Sequence, residues 1–353
     1  MRKIKSEFGR RARGAAVAAV GATIVLASVL AGPACANDST AHLAAGGLVL
    51  SRNDAIEMRS EDLFVSMDEV RVRYRFHNRT TKDVTTLVAF PLPDIAAPSD
   101  VNNLVVPDPK ADTNFLDFHT TVDGRPVTMQ VEQRAFALGI DRTDLLKRLG
   151  LPIAPQNVAQ GKLIGRLPAA TQEKLREFGM IRYEEYSSAG PMQRVALPLW
   201  SARTTFYWKQ AFPAGQDVTI EHRYRPSVGG SAQTSVGMDY QSTKMRAEYR
   251  ERYCVDPPFL RAVRAMHRRY ASRDGSGVIS EYRLGYILKT GANWAGTIKR
   301  FHLTVGKGAA DNLVSFCMDG VRKVSPTRFE VTKTDFWPER DLDVLILTPP
   351  RGQ

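Results

Sequence analysis

The segment SRDGSGVISEYR, Ser272–Arg283, comes nearest to a metal site in this 353-residue chain. It overlays the twelve-residue calcium loop, with Asp274, Ser276, Gly277 and Ile279 at the expected places. A calcium loop closes on a bidentate carboxylate at its twelfth position; here that residue is Arg283, and one carboxylate remains among the chelating positions. A Gly/Ser turn fits better, and no metal or other cofactor is expected. Other chemical signatures also lack a partner group. KTG at Lys289–Gly291 matches one motif of penicillin-binding enzymes, yet no Ser-x-x-Lys supplies their nucleophile. GKGAAD at Gly306–Asp311 lacks the third glycine and following helix of a phosphate loop, so it reads as a hairpin turn. Neither a Gly-x-Ser-x-Gly elbow nor an HExxH helix occurs. None of the six histidines (His42, His77, His119, His222, His267, His302) lies within four residues of another. Four of them fall in alternating strands, where a polar face or a satisfied core position is the expectation. Glu184 and Glu185 would face opposite sides of a strand, a poor carboxylate pair. The four tryptophans could stack sugar rings, although packing is their commoner use. No catalytic residue is assigned.

Side chains that act together must be brought together by the fold, and the clearest fold signal is strand alternation. In VRVRYRFHN, Val70, Val72, Tyr74 and Phe76 face one way and Arg71, Arg73, Arg75 and His77 the other. Further strands are expected at 56–59, 63–66, 85–90, 115–122, 127–136, 204–211 and 218–224, with VDGRP, Val122–Pro126, as a tight turn. Pro91 and Pro93 stop the 85–90 run, which suits a sheet edge where a missing N–H is tolerated. Between Leu138 and Gly190 the period becomes helical. DRTDLLKRLG and PAATQEKLREFG each carry an Asp or Thr cap and a terminal glycine. The Gly/Ser stretch Ser227–Gly237 then breaks the pattern, and DPPFLRAVRAMHRRYA reads as a helix with prolines at its start. Strands follow at 282–289, 298–305, 313–317, 328–333 and 343–347. The expected fold class is mainly β, with two antiparallel β-sandwich-like domains. The first spans 37–226 and carries the helical insert 138–190; a linker, 227–243, leads to the second, 244–353, with one helix.

Residues 1–36 read as a signal peptide: basic MRKIKSEFGRRARG, apolar AAVAAVGATIVLASVL, and the small-x-small ACA at Ala34–Ala36. The apolar stretch is shorter than the ~20 residues of a bilayer span. Cleavage after Ala36 and a periplasmic or secreted chain without a membrane span are expected. Cleavage takes six Lys/Arg and one Glu with it, lowering the net charge from +12 to +7. The remaining basic residues are spread along strands, with no basic, aromatic-interleaved module, which excludes nucleic acid as partner. An anionic envelope polymer or an envelope protein is the partner class left. Cleavage also removes Cys35, leaving Cys254 and Cys317 as an even pair in an oxidising compartment. A disulfide is expected, with two free buried cysteines as the alternative. It would close a loop of about 60 residues and contribute roughly 4 kcal/mol through loop-closure entropy. Cys254→Ser is expected to loosen the C-terminal domain first.

The stretches ANDSTAHLAAGGLVLSRNDAIEMRSEDL, VRVRYRFHNRTTKDVTTLVAFPLPDI, YILKTGANWAGTIKRFHLTVGKGAADNLVSFC and FEVTKTDFWPERDL together resemble the bacterial domain of unknown function 4424 family. The resemblance covers essentially the whole mature chain and implies an exported, uncharacterised protein with no site residues to carry over. The N-terminal half also resembles the vault/inter-alpha-trypsin domain in its aromatic-x-Asn strand end and FPLP-type turn. The DxSxS metal stretch of the von Willebrand A domain that often accompanies that family does not occur here. The functional reading is a non-enzymatic interaction or ligand-binding module of the cell envelope. An envelope hydrolase with fold-assembled carboxylates, or a structural subunit of an envelope complex, is the alternative. The excursion at 138–190, far longer than a hairpin connection of about 2–5 residues, is expected to carry function. There and on its return strand, Arg182, Tyr183, Tyr186 and Trp200 are the expected contacts, because Arg, Tyr and Trp dominate interface energies.

Overall fold

A computed structural model describes residues 37–44, 47–95, 104–186, 192–270 and 277–350. The leader expected at 1–36 lies outside the described residues, as does most of the glycine-rich half of the calcium-like segment. The strands form three sheets and a separate hairpin. The largest has eight strands in the spatial order Arg322–Lys323, Arg328–Phe336, Ile298–Gly306, Ile56–Val65, Val70–Asn78, Asp217–Tyr224, His119–Val122 and Arg125–Pro126. A six-stranded sheet runs Ile140–Asp141, Gln130–Ala137, Ser201–Phe212, Val84–Pro91, Ser39–Ala44 and Gly47–Ser51. A five-stranded sheet runs Leu313–Phe316, Leu342–Thr348, Ser280–Tyr286, Val228–Ser231 and Leu104–Val105.

Alternation decides which faces turn inward. Val70, Val72, Tyr74 and Phe76 are buried while Arg71, Arg73 and Arg75 are exposed. The same parity buries Val218, Ile220, His222 and Tyr224 on the neighbouring strand. The inward faces of all three sheets meet in one core that holds Phe76, Phe90, Phe212, Trp294 and Phe301. Each such ring contributes about 1.5–3 kcal/mol by leaving water. In the Leu342–Thr348 strand, Leu342, Val344 and Ile346 enter this core, while Leu345 and Leu347 enter a second cluster on the far side. That explains its unbroken apolar run.

The mainly β class holds, but residues 227–243 do not separate two sandwiches. Ile298–Gly306 lies parallel to Ile56–Val65, from Arg300 opposite Ser60 to Val305 opposite Val65. Val228–Ser231, inside the expected linker, pairs with Leu104–Val105 on one side and Ser280–Tyr286 on the other. Buried strand backbones need partners on both edges, and here those partners come from opposite ends of the sequence. The expected edge role of Pro91 also changes. Its strand lies between two neighbours, but pairing with Ser39–Ala44 stops at Ala89. Leu92 N–H donates to the Thr204 carbonyl on the other side, so among the described residues the proline costs no ladder hydrogen bond. GKGAAD closes no hairpin either, because its flanking strands belong to different sheets; buried Lys307 is capped by the carbonyls of Ala310 and Asn312.

The insert contains α1 (Thr143–Arg148), α2 (Gln160–Gly165), α3 (Ala169–Glu177) and the hairpin Ile181–Tyr186/Gln193–Pro198. Gly150 and Gly179, at φ 64 and 65, end α1 and α3 in the left-handed conformation that glycine favours. The caps differ from expectation. Arg142 holds the cap position of α1, with Asp141 Oδ1 accepting from Thr143 N–H at 2.9 Å, and α3 starts after Pro168, ahead of Thr171. Leu146, Ile164, Leu175, Met180, Ile181 and Trp200 build a separate small core against Ala135, Ala137 and Ala202 of the six-stranded sheet. Two further helices, α4 (Thr243–Tyr253) and α5 (Pro257–Tyr270), cover the five-stranded sheet through Tyr249, Tyr253, Val263 and Met266. A disulfide joins Cys254, at the end of α4, to Cys317, just beyond the Leu313–Phe316 strand.

Candidate binding site

The most perturbed ionisable groups lie inside the core, where Asn37 and Asp38 enter ahead of the Ser39–Ala44 strand. Asn37 is fully buried and each of its polar atoms is bonded. Its N–H donates to Thr290 Oγ1 and its C=O accepts from the same hydroxyl, both at 2.7 Å. Its Oδ1 accepts from Tyr74 OH, and its Nδ2 donates to Glu61 Oε2 at 3.1 Å and to the Leu288 carbonyl at 3.3 Å. Trp294 Nε1 donates to the Asp38 carbonyl at 2.6 Å. Glu61 reaches this place because a register shift between Met58 and Ser60 gives it the inward parity of Leu63 and Val65. Burial pushes its carboxyl up to about 8, against hydrogen bonds from Asn37 and Tyr286 that favour the charged form. The Tyr74 and Tyr286 hydroxyls lie 2.8 Å apart, and burial and nearby Glu61 hold both well above the ordinary phenol value.

His222 completes the cluster. Its Nε2 is 3.0 Å from Asp38 Oδ1 and its Nδ1 is 2.8 Å from Thr120 Oγ1. Phe90, Phe118, Tyr74 and Trp208 enclose the ring at centroid distances of 4.8, 5.2, 5.7 and 5.7 Å. Burial raises the Asp38 carboxyl and the attraction of His222 opposes the rise. Among the described residues, Asp38 Oδ2 has no hydrogen-bond partner. All these side chains are buried.

The outward face of the same strands is open. The pairing register stacks its side chains in rows across the sheet. One row runs Glu330, Thr304, Phe64, Arg71, Arg223 and His119, and the next Thr332, His302, Asp62, Arg73, Glu221 and Thr121. Most of these, with Arg328, line a groove of about 740 Å³. Opposite charges neighbour one another along the second row, while the first sets Arg71 beside Arg223. Arg73 Nε is 3.1 Å from Glu221, His302 Nδ1 is 3.0 Å from Asp62, and Arg71 and Arg223 share Glu69 at 2.9 and 2.5 Å. The Arg71 guanidinium also lies 5.0 Å over the Phe64 ring. A guanidinium has five N–H donors, so one carboxylate contact leaves donors for a ligand. Guanidiniums, carboxylates, hydroxyls and one aromatic ring on one sheet face suit a polar ligand bearing hydroxyls and acidic groups. Among the described residues, no three His, Cys, Asp or Glu side chains are placed to hold a metal ion.

The contacts expected on the insert are dispersed. Trp200 is fully buried in the insert's small core, with Nε1 donating to the Ile153 carbonyl at 2.8 Å, so it belongs to no surface. Tyr183 is half-buried; its hydroxyl donates to Gln172 Oε1 at 3.0 Å and the Arg194 guanidinium covers its ring at 3.6 Å. Arg182 is exposed and pairs with Glu184. Tyr186 ends the Ile181–Tyr186 strand, and its side chain lies outside the described ones. Arg182 and Tyr183, as strand neighbours, face opposite ways. Packing accounts for Trp200: three short helices need aromatic mass to form a core, and its ring supplies it. Sequence reasoning missed Asn37, Asp38, Glu61 and Tyr286 as one cluster and the groove as one surface. The usable signals were polar groups at inward parity, such as His222, and outward arginines at 71 and 73.

No curated protein matches the chain. A solved structure from Legionella pneumophila, described as a candidate nutrient-binding protein, is 16% identical and covers 89% of this chain and 72% of that one, with a TM-score of 0.39. A likeness of that size carries no argument about the ligand here. The family described as Domain of unknown function (DUF4424) matches residues 36–345, from the residue before buried Asn37 into the Leu342–Thr348 strand. The chain belongs to the DUF4424 family.

Proposed function

We propose that the protein is an exported, non-enzymatic ligand-binding module of the cell envelope, with the groove on the eight-stranded sheet as its seat and an acidic, hydroxyl-rich saccharide as its ligand class. The groove carries this reading: about 740 Å³ of open sheet face lined by part-paired arginines, carboxylates, threonines and Phe64. Export is supported by the leader pattern and by the Cys254–Cys317 disulfide, a bond that oxidising compartments sustain. A glycoside hydrolase needs two carboxyls open to a cleft. Asp38 and Glu61 are sealed in the core, and the groove's own carboxyls are engaged in ion pairs, Asp62 with His302 and Glu221 with Arg73, which favours binding over hydrolysis.

Isothermal titration with oligogalacturonate, with neutral dextran as control, tests the proposal. Arg71→Ala/Arg223→Ala should weaken binding at least about tenfold, or about 1.4 kcal/mol. Its thermal stability should change little, because exposed ion pairs are worth about 0–1 kcal/mol. Undiminished binding by the variant would remove the groove as the site, and no binding by the unmutated protein would remove the ligand class. Mass spectrometry of what copurifies from periplasm identifies the natural ligand.

The insert supports a second reading, as a surface for an envelope protein. A groove of about 790 Å³ lies where α1 meets the Gln130–Ala137 strand, lined by Arg134, Arg142, Lys147 and Arg148 with Asp141 and Asp144. On this reading those residues, rather than Arg182, Tyr183, Tyr186 or Trp200, make the contact. Lys147→Glu/Arg148→Glu should then abolish copurification of a partner protein and leave saccharide binding intact.

A further inference from the structure

We infer that the α-ammonium group created by cutting after Ala36 is held inside the core at Asn37, where it supplies the counter-charge for the buried Glu61 and Asp38 carboxyls, so that maturation completes the fold. The inference rests on the reading of residues 1–36 as a leader removed on export.

Chain ends are ordinarily the least ordered part of a domain. Asn37, the first residue after the expected cut, is instead fully buried with every polar atom bonded. Its N–H is also not committed to a sheet ladder. It donates to the Thr290 hydroxyl, on the turn Lys289–Asn293, and an ammonium there keeps that contact while adding two donors.

Charge balance points the same way. Asp38 and Glu61 bring two carboxyls into the cluster, and the basic side chain bonded within it is His222, committed to Asp38 Oδ1. Among the described residues, Glu61 meets two neutral donors, Asn37 Nδ2 and the Tyr286 hydroxyl, and Asp38 Oδ2 meets none. A buried carboxylate without a cation is far costlier than a paired one. While a neutral peptide group occupies Asn37, burial pushes the Glu61 carboxyl up to about 8. A positive charge on the backbone of Asn37, the residue whose Nδ2 already bonds Glu61, favours the ionised form, and the carboxyls in turn raise the amine above its ordinary ~7.7–8.0. Tyr74, Tyr224 and Tyr286 also face the cluster, and Lys289 and Asp341 flank the turn. The covalent step is hydrolysis. Water adds across the Ala36–Asn37 peptide bond, leaving a carboxylate on Ala36 and an ammonium on Asn37. The uncut chain is therefore the less stable form.

The test compares two full mature chains released from a fusion without residual residues: one begins at Asn37, the other carries three glycines before it. Each is made with Glu61 and with Glu61→Gln. At pH 7 the chain beginning at Asn37 should melt at least about 3 °C higher, and the gap should close in Glu61→Gln. Equal melting of the two Glu61 chains, or an unchanged gap in Glu61→Gln, would overturn the lock. Should Glu61→Gln fail to fold, amine acetylation of the unmutated chain decides. The Asn37 amine should react about tenfold slower in the native protein than in urea, and equal rates overturn the inference. Sequencing the N-terminus of exported protein separates the two ideas. A terminus other than Asn37 overturns the maturation step, whereas equal melting with the terminus confirmed overturns the lock alone.

Discussion

His222 holds a carboxylate at one ring nitrogen and a hydroxyl at the other, inside a shell of four aromatic rings. His222→Leu would remove the side chain that pairs with Asp38 among the described residues. The expected loss is about 3–5 kcal/mol in urea unfolding at pH 7, and Asp38→Asn in the same chain should recover part of it. Glu61 sets a pH dependence whose sign follows from its shift. Its folded carboxyl, at about 8 against an ordinary 4.5, binds its proton more tightly than the unfolded one while Asn37 is uncharged. A chain extended before Asn37 should therefore lose stability as pH rises from about 4.5 to about 8, and Glu61→Gln should flatten that slope. Melting curves at pH 5, 6.5 and 8 check both statements. Some of this was legible: His222 shares the inward parity of Val218, Ile220 and Tyr224. Glu61 was hidden by the register shift, because a one-residue slip exchanges the two faces of a strand.

The insert behaves as an element with its own core. Trp200→Ala removes a fully buried ring and its bond to Ile153, a change that costs about 3–5 kcal/mol at such sites. The insert's cluster is separate from the main core, so limited proteolysis should cut the variant within 143–186 while saccharide binding in the groove persists. Loss of both would show that the insert supports the sheets. Its helix ends were readable because glycine serves the left-handed position at 150 and 179. The six-residue α2 is too short to show a period, and α4 buries only Tyr249 and Tyr253, so it offers no apolar stripe. What marks α4 is its start, where Ser242 Oγ accepts from Met245 N–H at 3.2 Å. Ser242→Ala should cost about 1 kcal/mol by urea unfolding.

At the scale of the whole molecule, the parallel contact between Ile298–Gly306 and Ile56–Val65 changes the expectation for unfolding. Strands from both ends of the chain share one sheet and one core, so the two halves should unfold together. Removing the disulfide with Cys254→Ser/Cys317→Ser should lower stability by roughly 4 kcal/mol through loop-closure entropy. Tryptophan fluorescence and far-ultraviolet circular dichroism should still report coincident transitions. A C-terminal half that melts first would restore the two-domain picture. Sequence alone determined the β class, the inward face of Val70–Asn78 and the Val122–Arg125 turn through Asp123 and Gly124, and it offered Cys254 and Cys317 as the even pair that the structure joins. These depend on side-chain alternation, glycine conformations and a count, all of which act within a few residues or need no geometry. Only the tertiary structure decided which strands lie side by side, and therefore the groove and the buried place of Asn37. The backbone groups on a strand edge are the same whatever the sequence, so neighbours are chosen by core burial and chain closure over the whole molecule.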